Sequence, residues 1–375
     1  MKVGEMKKWF PISISVFWIG FLSCGKDPAE NEYTLRYPTL PETTYEYSAI
    51  ELPDHFSGNP LLDLVDYSGP NTITNAGATL GRVLFYDVNL SANRTTSCGS
   101  CHHQEHGFAD PKAGSRGHTG LFTPRNASHI VNLRYLNRFF WDNRVNGLEN
   151  QVLLPLQDVL EMGMTLDVLV NRLKSIPYYE SLFVNAFGDD EITSERISLA
   201  LAQFVRSILS YQTKYDEGVP LNFSNFTEEE LVGLELFTSN NTECNHCHLT
   251  ANFFLNDVLN TGLDAEYSDN GRGLITGNES DNGKFKVPSL RNVELTGPYM
   301  HDGRFATLED VLEHYSTGVA AHPNLDDRLT TDGHVGGNPR HLNLTTAEKG
   351  ALVAFLKTLT DHTMANDPKF GDPFK

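Results

Sequence analysis

The sequence predicts a mainly α protein of two helical domains with long loops and little strand, and three observations carry that prediction. Amphipathic helical segments recur along the chain, each of two Cys-x-x-Cys-His stretches follows one of them, and strand-like alternation is scarce. At 375 residues, 39% hydrophobic and 21% charged, the chain can bury two cores and has the composition of a soluble globular protein.

The chain opens with Lys7-Lys8, an uncharged run from Trp9 to Leu22, and Ser23-Cys24-Gly25. That is the order of a basic segment, an apolar segment and a small-residue cleavage point. The run is too short to cross a bilayer as a helix, so residues 1–23 are expected to be an export signal. Phe21-Leu22-Ser23-Cys24 resembles the lipobox of bacterial lipoproteins, with Phe21 where leucine is usual, and would make Cys24 the acylated first residue. An ordinary secretory leader with an incidental cysteine is the alternative. Residues 24–55 read as a polar tether. The expectation is an exported protein, periplasmic or on the cell envelope, that meets the membrane through a lipid anchor only.

Residues 76–86 place Leu80, Val83 and Leu84 on one helical face. Further helices are expected at 165–174, at 178–187 and at 194–209, the last with the stripe Ile197, Leu201, Phe204 and Ile208. Thr227-x-x-Glu230 is a capping box ahead of Leu231, Leu234 and Phe237, and Thr345-x-x-Glu348 opens a helix at 347–359. One more is expected at 308–315. Loops rich in Gly, Asn, Pro and Asp fill 261–283 and 318–341. A boundary near 215–225 divides the chain into domains at 56–215 and 216–375.

The net charge of −19 repels nucleic acid and suits a basic partner; the leader is itself basic, so the mature chain is more acidic still. Of the five cysteines, Cys24 belongs to the lipobox. The rest form Cys98-x-x-Cys101-His102 and Cys244-x-x-Cys247-His248, which leaves none for a disulfide. A c-type haem is fixed by thioethers from two cysteines at this spacing, and the histidine that follows ligates the iron. A zinc ribbon would separate its cysteine pairs less, and a redox dithiol has no use for the trailing histidine. Two covalent c-type haems are therefore expected, one in each cytochrome c-like domain, with His102 and His248 as proximal ligands. His103, His106 and His246 read as solvated loop histidines.

The stretches Leu84-Phe-Tyr-Asp87, Pro124-Arg-Asn-Ala127, Phe140-Trp-Asp142, Pro288-Ser-Leu-Arg-Asn292 and Pro298-Tyr-Met-His-Asp-Gly303 occur in that order. In this the chain resembles the bacterial di-haem cytochrome c peroxidase superfamily, which includes the methylamine-utilisation di-haem enzyme that matures a tryptophan-derived quinone. The resemblance runs from about Leu80 to Leu359. It implies that the N-terminal haem is the peroxidatic one, that Trp141 lies on the electron path between the haems, and that Gln151 and Glu161 are the distal amide and carboxylate. Peroxide cleavage needs such a pair, because a carboxylate can act as base and then acid while an amide holds the peroxide. On the residues alone, Gln151 and Glu161 would simply face water.

His118 falls where peroxidases of this family carry a removable distal histidine, which implies reductive activation; a loop histidine with no metal role is the alternative. At the C-terminal haem the peroxidases use methionine, whereas the matching position here is Tyr315, the pattern of the quinone-maturing relative. A phenolate ligand stabilises ferric and higher states. Met300 and His314 are rival ligands, and a plain core tyrosine is the remaining alternative. Thr242 stands where that relative has a tryptophan, so the sequence is a hybrid of the two patterns. Asn126, Thr296 and Pro298 match the family's calcium site. The function so implied is reduction of hydrogen peroxide to water, with electrons from a small cytochrome c or copper protein. A peroxide-dependent oxidase of a protein partner and a non-catalytic electron-transfer protein are the alternatives. A homodimer is implied by the resemblance alone.

Overall fold

Seven α-helices of six residues or more form in the computed structural model, which describes residues 1, 34–56, 66–249 and 251–375. They are α1 (Asn75–Tyr86), α2 (Leu166–Lys174), α3 (Pro177–Phe187), α4 (Ser194–Ser207), α5 (Glu228–Thr238), α6 (Leu308–Glu313) and α7 (Thr346–Lys357). All seven stand where the sequence places them. The expected leader and Cys24 lie outside the described residues. Strand is confined, among these residues, to two antiparallel ladders of two-residue strands. One joins β1 (Arg138–Phe139) to β2 (Val145–Asn146), the other β3 (Val258–Leu259) to β4 (Phe285–Lys286). The protein is therefore mainly α with little strand. No helix among the described residues is long and apolar enough to cross a membrane.

Local chemistry starts the helices. Thr74 caps α1 by accepting from the Gly77 amide, and the predicted boxes Thr227/Glu230 and Thr345/Glu348 both close at the starts of α5 and α7. Packing then pairs them, α1 on α4 and α5 on α7. The two crossings use the same device. A Cβ on Gly81 would stand 2.0 Å from the Ala200 carbonyl oxygen and 2.7 Å from Phe204 Cβ. A Cβ on Gly233 would stand 2.0 Å from the Ala351 oxygen and 2.7 Å from Phe355 Cβ. Only glycine lets each helix approach its partner so closely. Phe204 and Phe355 are both fully buried behind that contact.

The likeness of the halves continues past the helix pairs. Asn132 and Asn292 both take left-handed backbone, φ 59° and 61°. The Asn132 amide donates to Ile208 O at 2.9 Å and its Oδ1 accepts from Ser210 N at 2.8 Å. Asn292 repeats this with Leu359 O at 2.9 Å and Asp361 N at 2.7 Å. Each asparagine thus ties the loop after a haem motif to the end of α4 or α7.

Two regions are packed more closely than their polar composition alone indicates. The boundary region is a packed joint: Tyr215 N donates to Thr358 O, and the buried Asp216 takes two 2.8 Å hydrogen bonds from Arg291 and one of 2.7 Å with His55 Nε2. These contacts tie the boundary segment to the C-terminal half and to residue His55, and the chain from Tyr37 to Lys375 is one compact unit. The later part of the expected tether is also seated, since Tyr47 is 1% exposed and its hydroxyl donates to Lys369 O at 2.7 Å. An aromatic residue with a partnered hydroxyl buries well even in a polar stretch.

Candidate functional site

Both Cys-x-x-Cys-His loops are short helical turns that end in a histidine fixed the same way. In the first, the Ser97 amide donates to Ser100 Oγ at 3.0 Å, and Tyr86 packs into the space a side chain on Gly99 would need. His102 Nδ1 donates to Phe108 O at 2.9 Å; His248 Nδ1 donates to Phe253 O at 3.0 Å. Phe108 and Phe253 both have positive φ, 61° and 52°, the bend that turns their carbonyls back to the histidines. With Nδ1 spent as a donor, Nε2 is the nitrogen left to bind iron. Burial keeps both rings neutral, lowering His102 and bringing His248 down to about 4. A neutral imidazole is the form that ligates.

At the second motif the structure shows the room a macrocycle needs. A largely apolar cavity is lined by Cys244, Cys247 and His248, with Leu352 and Leu356 among its walls and Tyr315 facing the same space. Thiols, imidazole and an apolar chamber together fit a covalent haem. Tyr315 sits in a π-helical turn, His314–Gly318, that continues α6. Such widened turns are common at functional positions. Burial holds its phenol well above the ordinary value, and the neighbouring thiols of Cys247 and Cys244 act in the same direction. Of the rivals, Met300 lines the cavity, whereas His314 Nε2 is engaged by Thr261 O at 2.9 Å. Thr242 lines the cavity and donates its hydroxyl to Leu236 O.

At the first motif, Glu161 lies near enough for its charge to act on both Cys98 and Cys101. Its carboxyl has no hydrogen bond or ion pair among the described residues. Burial, with Asp158 adding and Arg144 opposing, pushes it up to about 7. His118 is brought to the same place: its amide donates to Glu161 O at 2.8 Å, its Nδ1 lies 3.3 Å from that oxygen, and its ring fills the slot beside Gly163. Gln151 ends a short helical turn, Leu148–Gln151, and is half-buried; no hydrogen bond joins it to Glu161 or His118.

Trp141 borders the cavity of the second motif. Its Nε1 donates to Asn126 O at 2.9 Å, its carbonyl accepts from Lys286 N at 2.7 Å, and it lines the second cavity. Asn126, Thr296 and Pro298 line that cavity too. The Asn126 amide nitrogen donates to Lys112 O at 2.9 Å, which leaves its oxygen for a cation. Sequence reasoning missed the two phenylalanine carbonyls, together with His129 and Lys286 beside Trp141. The positive-φ phenylalanines carry no local mark, and the other pair meet the cavity only through folding.

The chain is similar to known proteins of one family. A family model described as di-haem cytochrome c peroxidase matches residues 75–220. Methylamine utilization protein MauG of Methylorubrum extorquens is 34% identical over 298 residues, covering 79% of this chain and 81% of that protein. Cytochrome c551 peroxidase of Nitrosomonas europaea is 35% identical over 287 residues, covering 76% of this chain and 79% of that protein. The crystal structure of a MauG-like protein associated with microbial copper homeostasis matches with a TM-score of 0.71 at 36% identity. That match covers 81% of this chain and 95% of the other.

Proposed function

This chain belongs to the di-haem cytochrome c peroxidase family, and on that premise we propose that it reduces hydrogen peroxide to water beside Glu161. The observation that carries the proposal is the half-buried Glu161 carboxyl, without a hydrogen-bond or ion-pair partner among the described residues, next to the Cys98/Cys101 loop and raised to about 7. A carboxylate with a purely structural role would be held by a protein partner. One poised near neutral pH without one is a proton carrier.

Haem iron at this loop would supply electrons to the peroxide. The chain's own residues do the remaining work. Glu161 takes the proton from the inner peroxide oxygen and returns it to the outer one, which leaves as water. The Gln151 amide donates to the peroxide and fixes its orientation. His118, with Nε2 unused, closes the site until electrons arrive. Each peroxide takes up two electrons and two protons and yields two waters. Electrons come singly from a small cytochrome c or copper protein by way of the C-terminal site and Trp141. We extend the proposal to a calcium ion at Asn126 Oδ1 and the carbonyls of Thr296 and Pro298, to export with lipid attachment at Cys24, and to a homodimer.

Steady-state peroxide turnover tests the reading. Glu161→Gln is expected to lose about 10²–10⁴-fold in kcat with both haems still attached. Wild-type turnover should fall as pH drops below about 7, because the base form of Glu161 is lost there; the variant should lack that limb. Unchanged turnover in the variant would remove the assigned role.

One observation favours a second reading, oxidation of a protein partner: Tyr315 faces the cavity of the second motif. A phenolate there would favour storage of oxidising equivalents. Peroxide added without a donor should then give a long-lived oxidised state, and prompt decay would exclude it.

A further inference from the structure

His129 is a buried imidazole that peroxide chemistry leaves unused. Its Nε2 lies 3.1 Å from Ser289 O, and a carbonyl can only accept, so Nε2 carries the hydrogen and Nδ1 the lone pair. That Nδ1 is shut off from solvent and has no hydrogen-bond partner. The residue lines the cavity of the second motif. Around it a polar group closes up: Trp141 Nε1 donates to Asn126 O, Lys286 N donates to Trp141 O, and Ser289 receives His129 itself. No hydrogen bond or ion pair among the described residues links this group to Cys244, Cys247, Thr242 or Arg328, the lining residues at the thiol end.

A c-type haem carries its thioether links on one edge and its two propionates on the other. A haem held at Cys244 and Cys247 would have its propionates on the edge away from the thiols, and His129, Trp141 and Lys286 are polar groups of the cavity lining that could meet them there. Two neighbours bear on His129 by charge, Lys286 and His102. Lys286 Nζ donates to Arg138 O at 2.8 Å and has no carboxylate partner among the described residues. A bare lone pair facing a carboxylate in this setting is repulsive, and one proton between them removes the conflict.

We propose that His129 Nδ1 shares one proton with a propionate of the haem held by Cys244 and Cys247, and that this proton is taken up as that haem is reduced. The inference rests on the di-haem reading. The balance is simple: the ferric group gains one electron from a one-electron donor, solvent supplies one proton, and the proton rests between Nδ1 and the carboxylate. Reduction removes a positive charge nearby, so the shared site binds its proton more tightly. Burial keeps His129 neutral when the carboxylate is not there, down to about 4, and brings Lys286 down to about 7. The consequence for the reaction is that an electron reaching Trp141 arrives with a proton beside it.

The experiment uses the full, haem-loaded chain. Haem content at Cys244 and Cys247 is measured first by peptide mass; its absence overturns the di-haem reading itself. With haem present, a spectroelectrochemical titration with small mediators follows the C-terminal haem across roughly pH 5 to 9. The ferrous-to-ferric ratio at fixed potential is expected to fall by up to about tenfold per pH unit between the two proton affinities. In His129→Asn that dependence should flatten. In Lys286→Met it should persist, and its loss there would place the proton on Lys286 and overturn the inference as well. A flat titration in the wild-type protein overturns the inference whether or not any variant folds, and an unchanged slope in His129→Asn overturns it as well.

Discussion

Gly81 lies against Ala200 and Phe204 in the N-terminal half, and Gly233 lies against Ala351 and Phe355 in the C-terminal half, where a Cβ on either glycine would stand 2.0 Å from the facing carbonyl oxygen. His102 and Phe108 match His248 and Phe253, and Asn132 matches Asn292. After those asparagines the halves part. The N-terminal half breaks into short turns and brings a half-buried Glu161, unpartnered among the described residues, beside its cysteines. The C-terminal half runs through α6 into a π turn and points Tyr315 into its cavity. The frame that seats a macrocycle tolerates little change, because helix crossing and histidine orientation depend on close contacts. The loops over the open side carry no such burden, and there the halves differ in chemistry.

The sharpest test of that contrast is Glu161→Gln beside Tyr315→Phe. The first should remove about 10²–10⁴-fold of peroxide turnover, a loss of about 3–5 kcal/mol of transition-state stabilisation. The second should leave the peroxide step intact and alter the spectrum and potential of the C-terminal haem alone. Equal losses of turnover would erase the division of labour. Next in size is the buried ion pair at the boundary segment. Arg291→Met removes both guanidinium donors from the buried Asp216 carboxylate and should cost about 3–5 kcal/mol in urea unfolding. The Asp216 pKa is held far below its ordinary value by Arg291 and His55 against the cost of burial. Its contribution is therefore complete above the unfolded carboxylate pKa and is lost only as pH falls through the strongly acidic range.

A smaller effect tests the likeness itself. Gly81→Ala and Gly233→Ala each force a methyl into a neighbouring carbonyl and should each cost about 1–3 kcal/mol, matching within error. A neutral result at one site and a large one at the other would show that the crossings only look alike. Calcium removal should have the least effect, slowing turnover with little change in unfolding midpoint, because the three proposed ligands sit on loops.

Much of the frame was legible beforehand because its signals are local. Capping boxes span three residues, helical stripes repeat within a turn or two, and the haem motifs are contiguous; the structure has α5 and α7 starting where Thr227 and Thr345 put them. Boundaries were less so. The expected helix at 308–315 is α-helical only to Glu313, and a π turn carries Tyr315, a change of pitch that periodicity does not distinguish. The tether was read from polar composition, yet Tyr47 and His55 found partners far along the chain at Lys369 and Asp216.

The amino-acid order alone determined where the helices start and that the chain is mainly helical, since each depends on neighbours within a few positions. Only folding decided that Glu161 would lack a partner, that Phe108 and Phe253 would aim the two histidines, and that His129 would meet Ser289 at the edge of a cavity. Burial and the absence of a partner are properties of what surrounds a side chain, and those surroundings come from distant parts of the chain.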